Sequence, residues 1–568
     1  MLKGASKLFL QKSKAVALIL LGTVTWSWTM VKSGWLYSYG MGFWGANGHD
    51  GVWHIALAES LSRGSLLMPV FAGQALQNYH IGFDFLLAIL HKITFLPIID
   101  LYFQIVPPIL ALLVGVLTYK FVFDWTKSEK ASLWSVFFTY FGGSFGWVLG
   151  KGESTFWSQQ AISSLINPPF ALSLILLLVG LILLLKLEKK FGAWNLVFSI
   201  LCFGVLIEIK AYAGILALGG LSVAGIWKAL REKKFSILYV FIGSLVLSLF
   251  IYLALNRGAL SLLVWQPFWF LETMMGLTDR VGWLRFFSAM TAYKSGHIWI
   301  KAIPAYLIAF VIFWIGNMGT RVIGKFIIFK WCKNIRKIGW IEVFVMSVIV
   351  AGGLIPMFFL QKGTPWNTIQ FFYYSLFFSG ILAGIAFAQF LDNSKLNTIL
   401  IRIIIVTVIV LTVPTTVITL KDVYIPGRPP AKLSNEELQA LDFLAKEPDG
   451  VVLTYPFDPI AAKTAEGNPP RPLYLYVSTA YVSAFSKHPT FLEDEINLDI
   501  TGYDWQSRKS EVEAWYKESN QVKAREFLKN NDIKYIYWVK SQRALLGDAQ
   551  LGLKNIYENA TVIVYQVE

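Results

Sequence analysis

Cysteine is nearly missing. Cys202 and Cys332 are the only two in 568 residues, one in an apolar run and one in a basic stretch, so neither a disulfide framework nor a CxxC metal site is available. Charge is scarce as well: 15% of residues are charged against 55% hydrophobic, which excludes an ordinary soluble protein. Histidine occurs six times, and His49, His54 and His80 fall in one region. No Gly-rich phosphate loop, nucleophile elbow or Ser/His/Asp arrangement stands out, so no chemistry is placed in the C-terminal region on such grounds.

Long apolar runs are what the chain has in quantity. Stretches of about 20 residues have the length needed to cross a bilayer as helices, whereas a closed barrel would show alternation. Expected spans lie at about 15–32, 101–123, 130–149, 170–187, two halves of 194–228, 236–255, 299–317, 339–360, 368–390 and 399–420. That makes a multispan α-helical membrane protein with about 11 transmembrane helices. Residues 81–97, interrupted by Asp84, His91 and Lys92, read as an inserted helix that does not cross.

The net charge of +15 is unevenly spread. Residues 421–568 carry 17 Lys/Arg against 21 Asp/Glu, and residues 1–420 carry 33 against 14. The excess sits in short loops, which is the positive-inside pattern rather than a nucleic-acid surface. The loop 318–338, with Arg321, Lys325, Lys330, Lys333, Arg336 and Lys337, is its clearest example. Lys3, Lys7, Lys12 and Lys14 precede the first run without a small-residue cleavage site, as in an uncleaved anchor. The reading is a multi-pass protein of the cell membrane with a cytoplasmic N-terminus. Loops 33–100, 150–167, 256–298 and 361–367 then lie outside.

Past Pro426 the composition turns soluble. Residues 1–420 form the expected membrane domain, and residues 421–568 a small extracytoplasmic α/β domain. Ser434-Asn435-Glu436-Glu437 is a capping box opening a helix to about Lys446. Strands are expected at Val451–Tyr455, Ile533–Val539 and 561–567, and a helix at 521–530.

The chemistry concentrates in Gly48-His49-Asp50-Gly51-Val52-Trp53-His54, running on to Glu59. Asp50 and His54 are one helical turn apart and share a face, beside a membrane where ionisable groups are costly without a task. The plainer alternative is an amphipathic helix lying on the bilayer. Asp50 suits a general base taking a proton from an attacking hydroxyl. Lys210, at the break Glu208-Ile209-Lys210, suits a phosphate, or else a structural pair with Glu208. Glu153, in the second loop, is a further acid or a solvated loop residue. Asp50 and His54 supply two ligands where a catalytic zinc usually needs three.

In layout the chain resembles the GT-C membrane glycosyltransferases, which include protein O-mannosyltransferases, aminoarabinose transferases and oligosaccharyltransferase catalytic subunits. The resemblance covers nearly the whole chain in architecture. It is carried by His49-Asp50 with Ala56–Glu59, by Tyr79-His80, and by Lys210 with Gly214. Lys362-Gly363-Thr364-Pro365-Trp366-Asn367 through Tyr373-Tyr374, and Tyr481-Val482-Ser483-Ala484-Phe485-Ser486, add to it.

It implies a polyprenyl-phosphate-linked sugar donor, a glycan, lipid or protein acceptor, and Asp50 as the loop-one aspartate. Many members pair two acids there, whereas Gly51 follows Asp50, which leaves a divalent metal open. The expected site is then Asp50, His49 and His54 for catalysis. Glu59, His80, Glu153, Lys210, Tyr212, Arg280, Arg285, Trp366 and Asn367 are expected to bind substrate. The function implied is an inverting sugar transfer at the outer membrane surface. A lipid or polysaccharide transporter is the rival, although only one broken helical segment, 194–228, is found where transporters tend to show repeats.

Overall fold

The computed structural model describes residues 2–256, 263–542 and 552–568. The side chains of Lys3, Lys7 and Lys12, and residues 257–262 of the expected aromatic loop, lie outside the described residues. Among the described residues eight helices are long and apolar enough to cross a membrane: Ile98–Thr126, Pro168–Lys189, Ala211–Glu232, Ser236–Ala254, Trp299–Lys333, Trp340–Phe358, Pro365–Asn393 and Thr398–Tyr424. Shorter apolar helices, Ser13–Ser27 and Ala193–Ile209, stand at two further expected spans.

The remaining expected span, 130–149, is the helix Glu129–Phe141. Its 13 residues reach about 20 Å, short of a hydrocarbon core of about 30 Å. It stops at Gly142-Gly143, where a Cβ on Gly143 would meet the Thr415 side chain at 2.6 Å. Gly142, at ψ 114°, has already left the helical backbone. The helix Gly82–Thr94 is likewise only 13 residues long and ends on Phe95 at φ +60°, in keeping with a non-crossing segment.

Pro365–Asn393 is the most enclosed of the eight, with 94% of its apolar window buried. It packs on Glu129–Phe141 and on Trp340–Phe358. The helix Trp299–Met318 runs through a 3-10 turn, Gly319–Gly324, into Lys325–Lys333. This corrects the expected basic loop 318–338. Gly319 has φ +52° and lies against the Gly143 carbonyl, and the turn places Arg321 inside the protein, 3% exposed. Arg321 is therefore an interior cation, not a loop charge.

The C-terminal region carries an α/β unit whose sheet runs Val451–Thr454, Ile533–Val539, Val562–Val567, Leu553–Glu558. The first pair is parallel and the others antiparallel. Ser434 caps Asn435–Leu444 in a reciprocal capping box with Glu437. A second sheet ties this region to the first loop: Gly40–Phe43 pairs antiparallel with Ala431–Leu433, with Met41 opposite Leu433. The helix Tyr481–Ser486 packs on the helix Asp50–Ser62.

Candidate functional site

The first-loop helix, Asp50–Ser62, is buried along its whole length from Gly51 to Ser62. It is an interior helix, so the amphipathic-surface alternative does not apply. Its first turn opens into a cavity of about 720 Å³ lined by residues of the first loop, the second loop, the 361–367 loop and the C-terminal region. Asp50 stands at the helix N-terminus, where unpaired N–H groups favour a carboxylate. Its side chain is 43% exposed because it faces the cavity, not because it faces bulk water.

His49 sits between two acids. Its Nδ1 is 2.7 Å from Asp50 Oδ1, and its Nε2 is 3.3 Å from Oδ1 of the fully buried Asp494. Burial alone would lower the His49 pKa. The charge and hydrogen bonding of Asp494, together with Asp50, instead push it up to about 10. Asp50 answers in kind: burial works to raise its pKa, but the hydrogen bond and charge of His49, with Lys210, hold it below the usual carboxylate range. Asp494 caps the helix Glu495–Thr501, accepting from Asn497 N–H, and its other oxygen accepts from Asn497 Nδ2 at 2.9 Å. Ile496, Asn497 and Ile500 of that helix contribute to the cavity wall.

Gly51 has a steric reason. A Cβ there would meet Phe103 Cζ at 2.7 Å and Tyr102 at 3.2 Å, so no second acid fits beside Asp50. Three His, Cys, Asp or Glu side chains able to hold a metal ion do not converge among the described residues, and the Asp50 and Asp494 carboxylates both face the His49 ring. The side chains as arranged do not fit a divalent ion.

His54 Nδ1 lies 2.7 Å from Asp84 Oδ1, and its ring stacks on Tyr102 with centroids 5.6 Å apart. His80 also lines the cavity; its Nδ1 is buried with no hydrogen-bond partner among the described residues, and burial with the nearby Lys210 charge holds its pKa well below the ordinary value.

Lys210 interrupts the paired helices as an extended residue, φ −159°, before Ala211–Glu232. It is 3% exposed, lines the cavity and lies over the Tyr212 ring at 5.6 Å. The alternative pairing with Glu208 is not made. Glu208 instead accepts from Ile81 N–H and from Asn256 Nδ2. Arg321 is a second cation of the cavity. Its guanidinium donates to the Met318, Gly143 and Asn317 carbonyls and to the Gln160 amide oxygen. Among the described residues no carboxylate pairs with Lys210 or Arg321, so both charges remain available to an anion.

Of the expected site, the cavity gathers His49, Asp50, His54, His80, Lys210, Tyr212, Trp366 and Asn367. Tyr212 donates to Gln361, which reaches the cavity from the paired strands Leu263–Trp265 and Phe359–Gln361.

Four expected residues stand elsewhere. Glu59 is buried at the far end of the first-loop helix. Glu153 accepts from Ser163 Oγ and Gln160 N–H, shaping the second loop that brings Gln160 to the cavity. Arg280 donates to Ser154 and stacks over Trp157 at 4.3 Å, so it braces that same loop. Arg285 is exposed. Asp84, Asp494 and Arg321 join the site without having been expected there. Asp84 is visible in the sequence as an acid interrupting an apolar run, whereas Arg321 is masked by the lysines that follow it.

No protein-family profile matches the chain, and no curated protein does either. Among solved structures, the oligosaccharyltransferase of Archaeoglobus fulgidus in its apo form aligns at a TM-score of 0.51 with 10% identity, covering 92% of this chain and 69% of that one. The same enzyme, AglB, in complex with an inhibitory peptide and a dolichol-phosphate aligns at 0.50, with the same identity and coverage. ArnT from Cupriavidus metallidurans bound to undecaprenyl phosphate aligns at 0.40, with 11% identity over 97% of both chains. At this identity the likeness is one of fold: over most of its length the chain shares the fold of the archaeal membrane oligosaccharyltransferase.

Proposed function

We propose that this chain is an integral-membrane glycosyltransferase that moves a sugar from a polyprenyl-phosphate-linked donor to an acceptor hydroxyl outside the cytoplasm, with inversion. One observation carries the reading. A single cavity is lined by a carboxylate, Asp50, and by two buried cations that form no salt bridge among the described residues, Lys210 and Arg321. Its wall includes Ile215 and Leu249, which are exposed on the helices Ala211–Glu232 and Ser236–Leu255. An anionic headgroup on an apolar tail meets such a site end to end. The fold it shares with an enzyme solved with dolichol-phosphate supports the donor class.

Asp50, fixed by His49, receives the acceptor hydroxyl and aims it at the anomeric carbon. Lys210 and Arg321 stabilise the charge that develops on the departing phosphate. The sugar carbon passes through an oxocarbenium-like state between them.

The test is transfer from radiolabelled polyprenyl-phosphate sugars in membranes carrying the chain. Asp50→Asn keeps shape and removes basicity, and should slow transfer by about 10²–10⁴-fold while donor binding stays near wild type. Wild-type turnover in Asp50→Asn would remove Asp50 from the chemistry. Movement of labelled lipid across the bilayer with no glycosylated product would favour a transporter.

A further inference from the structure

We infer that His54 and Asp84 form a proton-accepting pair beside Asp50, an inference that rests on the transfer reading above. His54 stands one turn from Asp50 on the same helix and lines the cavity. Asp84, on the neighbouring helix Gly82–Thr94, accepts from His54 Nδ1 at 2.7 Å. That fixes the tautomer and leaves Nε2, which has no hydrogen bond among the described residues, for the cavity. Tyr102 stacked on one side, with Phe83 and Tyr79 at centroid distances of 6.2 Å, holds the ring in place.

Asp84 is otherwise hard to explain. It is fully buried, and its Oδ2 has no hydrogen-bond partner among the described residues, an arrangement that is costly for an acid with a purely structural role. Its carboxylate is placed to stabilise the imidazolium that forms when Nε2 takes a proton, as in other His–Asp pairs. Asp50, meanwhile, is bonded to His49 at 2.7 Å and held below the usual carboxylate range, so it orients a hydroxyl well but retains a proton poorly.

The step balances. The acceptor oxygen bonds to the anomeric carbon as the carbon–oxygen bond to phosphate breaks, and that electron pair stays on the phosphate. The hydroxyl proton passes by way of Asp50 to His54 Nε2 and is later released to solvent.

The groups facing His54 are Asp84 from the helix Gly82–Thr94, Asp50 from its own helix, Tyr79 and His80 from the loop before Gly82, and Tyr102 from Leu101–Ile105, while Lys210 lines the same cavity. Of these, Asp84 alone accepts from Nδ1.

Three variants of the full-length protein test the pair by transfer rate across about pH 5–9, the range in which histidine titrates. His54→Gln should slow transfer by about 10²-fold. His54→Gly should recover several-fold on adding imidazole, which a structural role does not produce. Asp84→Asn removes the carboxylate that stabilises the imidazolium, so the acid limb of its rate profile should move to lower pH by about one pH unit. His54→Gln at wild-type rate, or an Asp84→Asn profile unmoved, overturns the pair while leaving the transfer reading intact. A wild type that transfers no sugar from any polyprenyl-phosphate donor overturns both.

Discussion

His49 Nε2 faces Asp494 Oδ1 at 3.3 Å while its Nδ1 is held by Asp50 at 2.7 Å. One imidazole ring therefore joins the start of the first-loop helix to the cap of a helix from the C-terminal region, with an acid on each side.

That link makes stability depend on pH. With its pKa raised from 6.5 to about 10, His49 contributes its full stabilisation below about pH 6.5 and loses it as pH rises towards 10. The thermal midpoint of the purified protein should fall across that window. Asp494→Asn should flatten the fall and slow transfer by about ten-fold, since Asp50 is then less firmly aimed. An unchanged midpoint profile in Asp494→Asn would show that the charge pair does not form.

Gly51 is expected to tolerate nothing larger. Gly51→Ala should cost about 1–3 kcal/mol by overpacking against Phe103, read as a lower midpoint in denaturation, and Gly51→Asp should cost more. Phe103→Leu combined with Gly51→Ala should recover some of the loss. No recovery would place the constraint in the backbone rather than in the ring.

Lys210→Met should weaken binding of a polyprenyl phosphate by about 10–100-fold, the scale of one charge-assisted contact, with the membrane yield unchanged. Glu208→Gln should leave that affinity alone, because Glu208 is bonded to Ile81 and Asn256 instead. Equal losses in the two variants would restore the pairing of these residues.

Glu153 is pushed up to about 7 by burial, against the hydrogen bonds from Ser163 and Gln160 N–H. A raised acid stabilises the fold fully below its unfolded value near 4.5 and ceases to do so as pH rises through about 7. Glu153→Gln should therefore remove one component of the stability lost across that window and leave donor binding unchanged. A loss of donor affinity in that variant would return Glu153 to the substrate site.

The features of the fold legible in the sequence are those set by local rules. Apolar length places a helix at each expected span, the Ser434 capping box opens its helix where expected, and the β-branched run Ile533–Val539 is the strand it looks like. Arg321 escapes such reading because charge counting treats every cation between two spans as a loop residue. Only the close approach of Gly319 to Gly143 turns it inward. Asp494 lies in the acidic run Glu493-Asp494-Glu495, which carries no sign of its partner; distance along the chain hides a contact that depends on two distant segments folding together. Asp50, His54 and Lys210 are legible because charge near a membrane is costly enough to demand a reason.

The sheet that pairs Gly40–Phe43 with Ala431–Leu433 has a consequence for synthesis. The first loop leaves the ribosome well before its strand partner, Ala431–Leu433, and before the acid facing His49, Asp494. Translation runs opposite to site assembly: the stretch made first is settled last. A chain ending before residue 431 would keep most of its membrane helices and still present a first loop with no strand to pair with and a histidine short of one of its two acids.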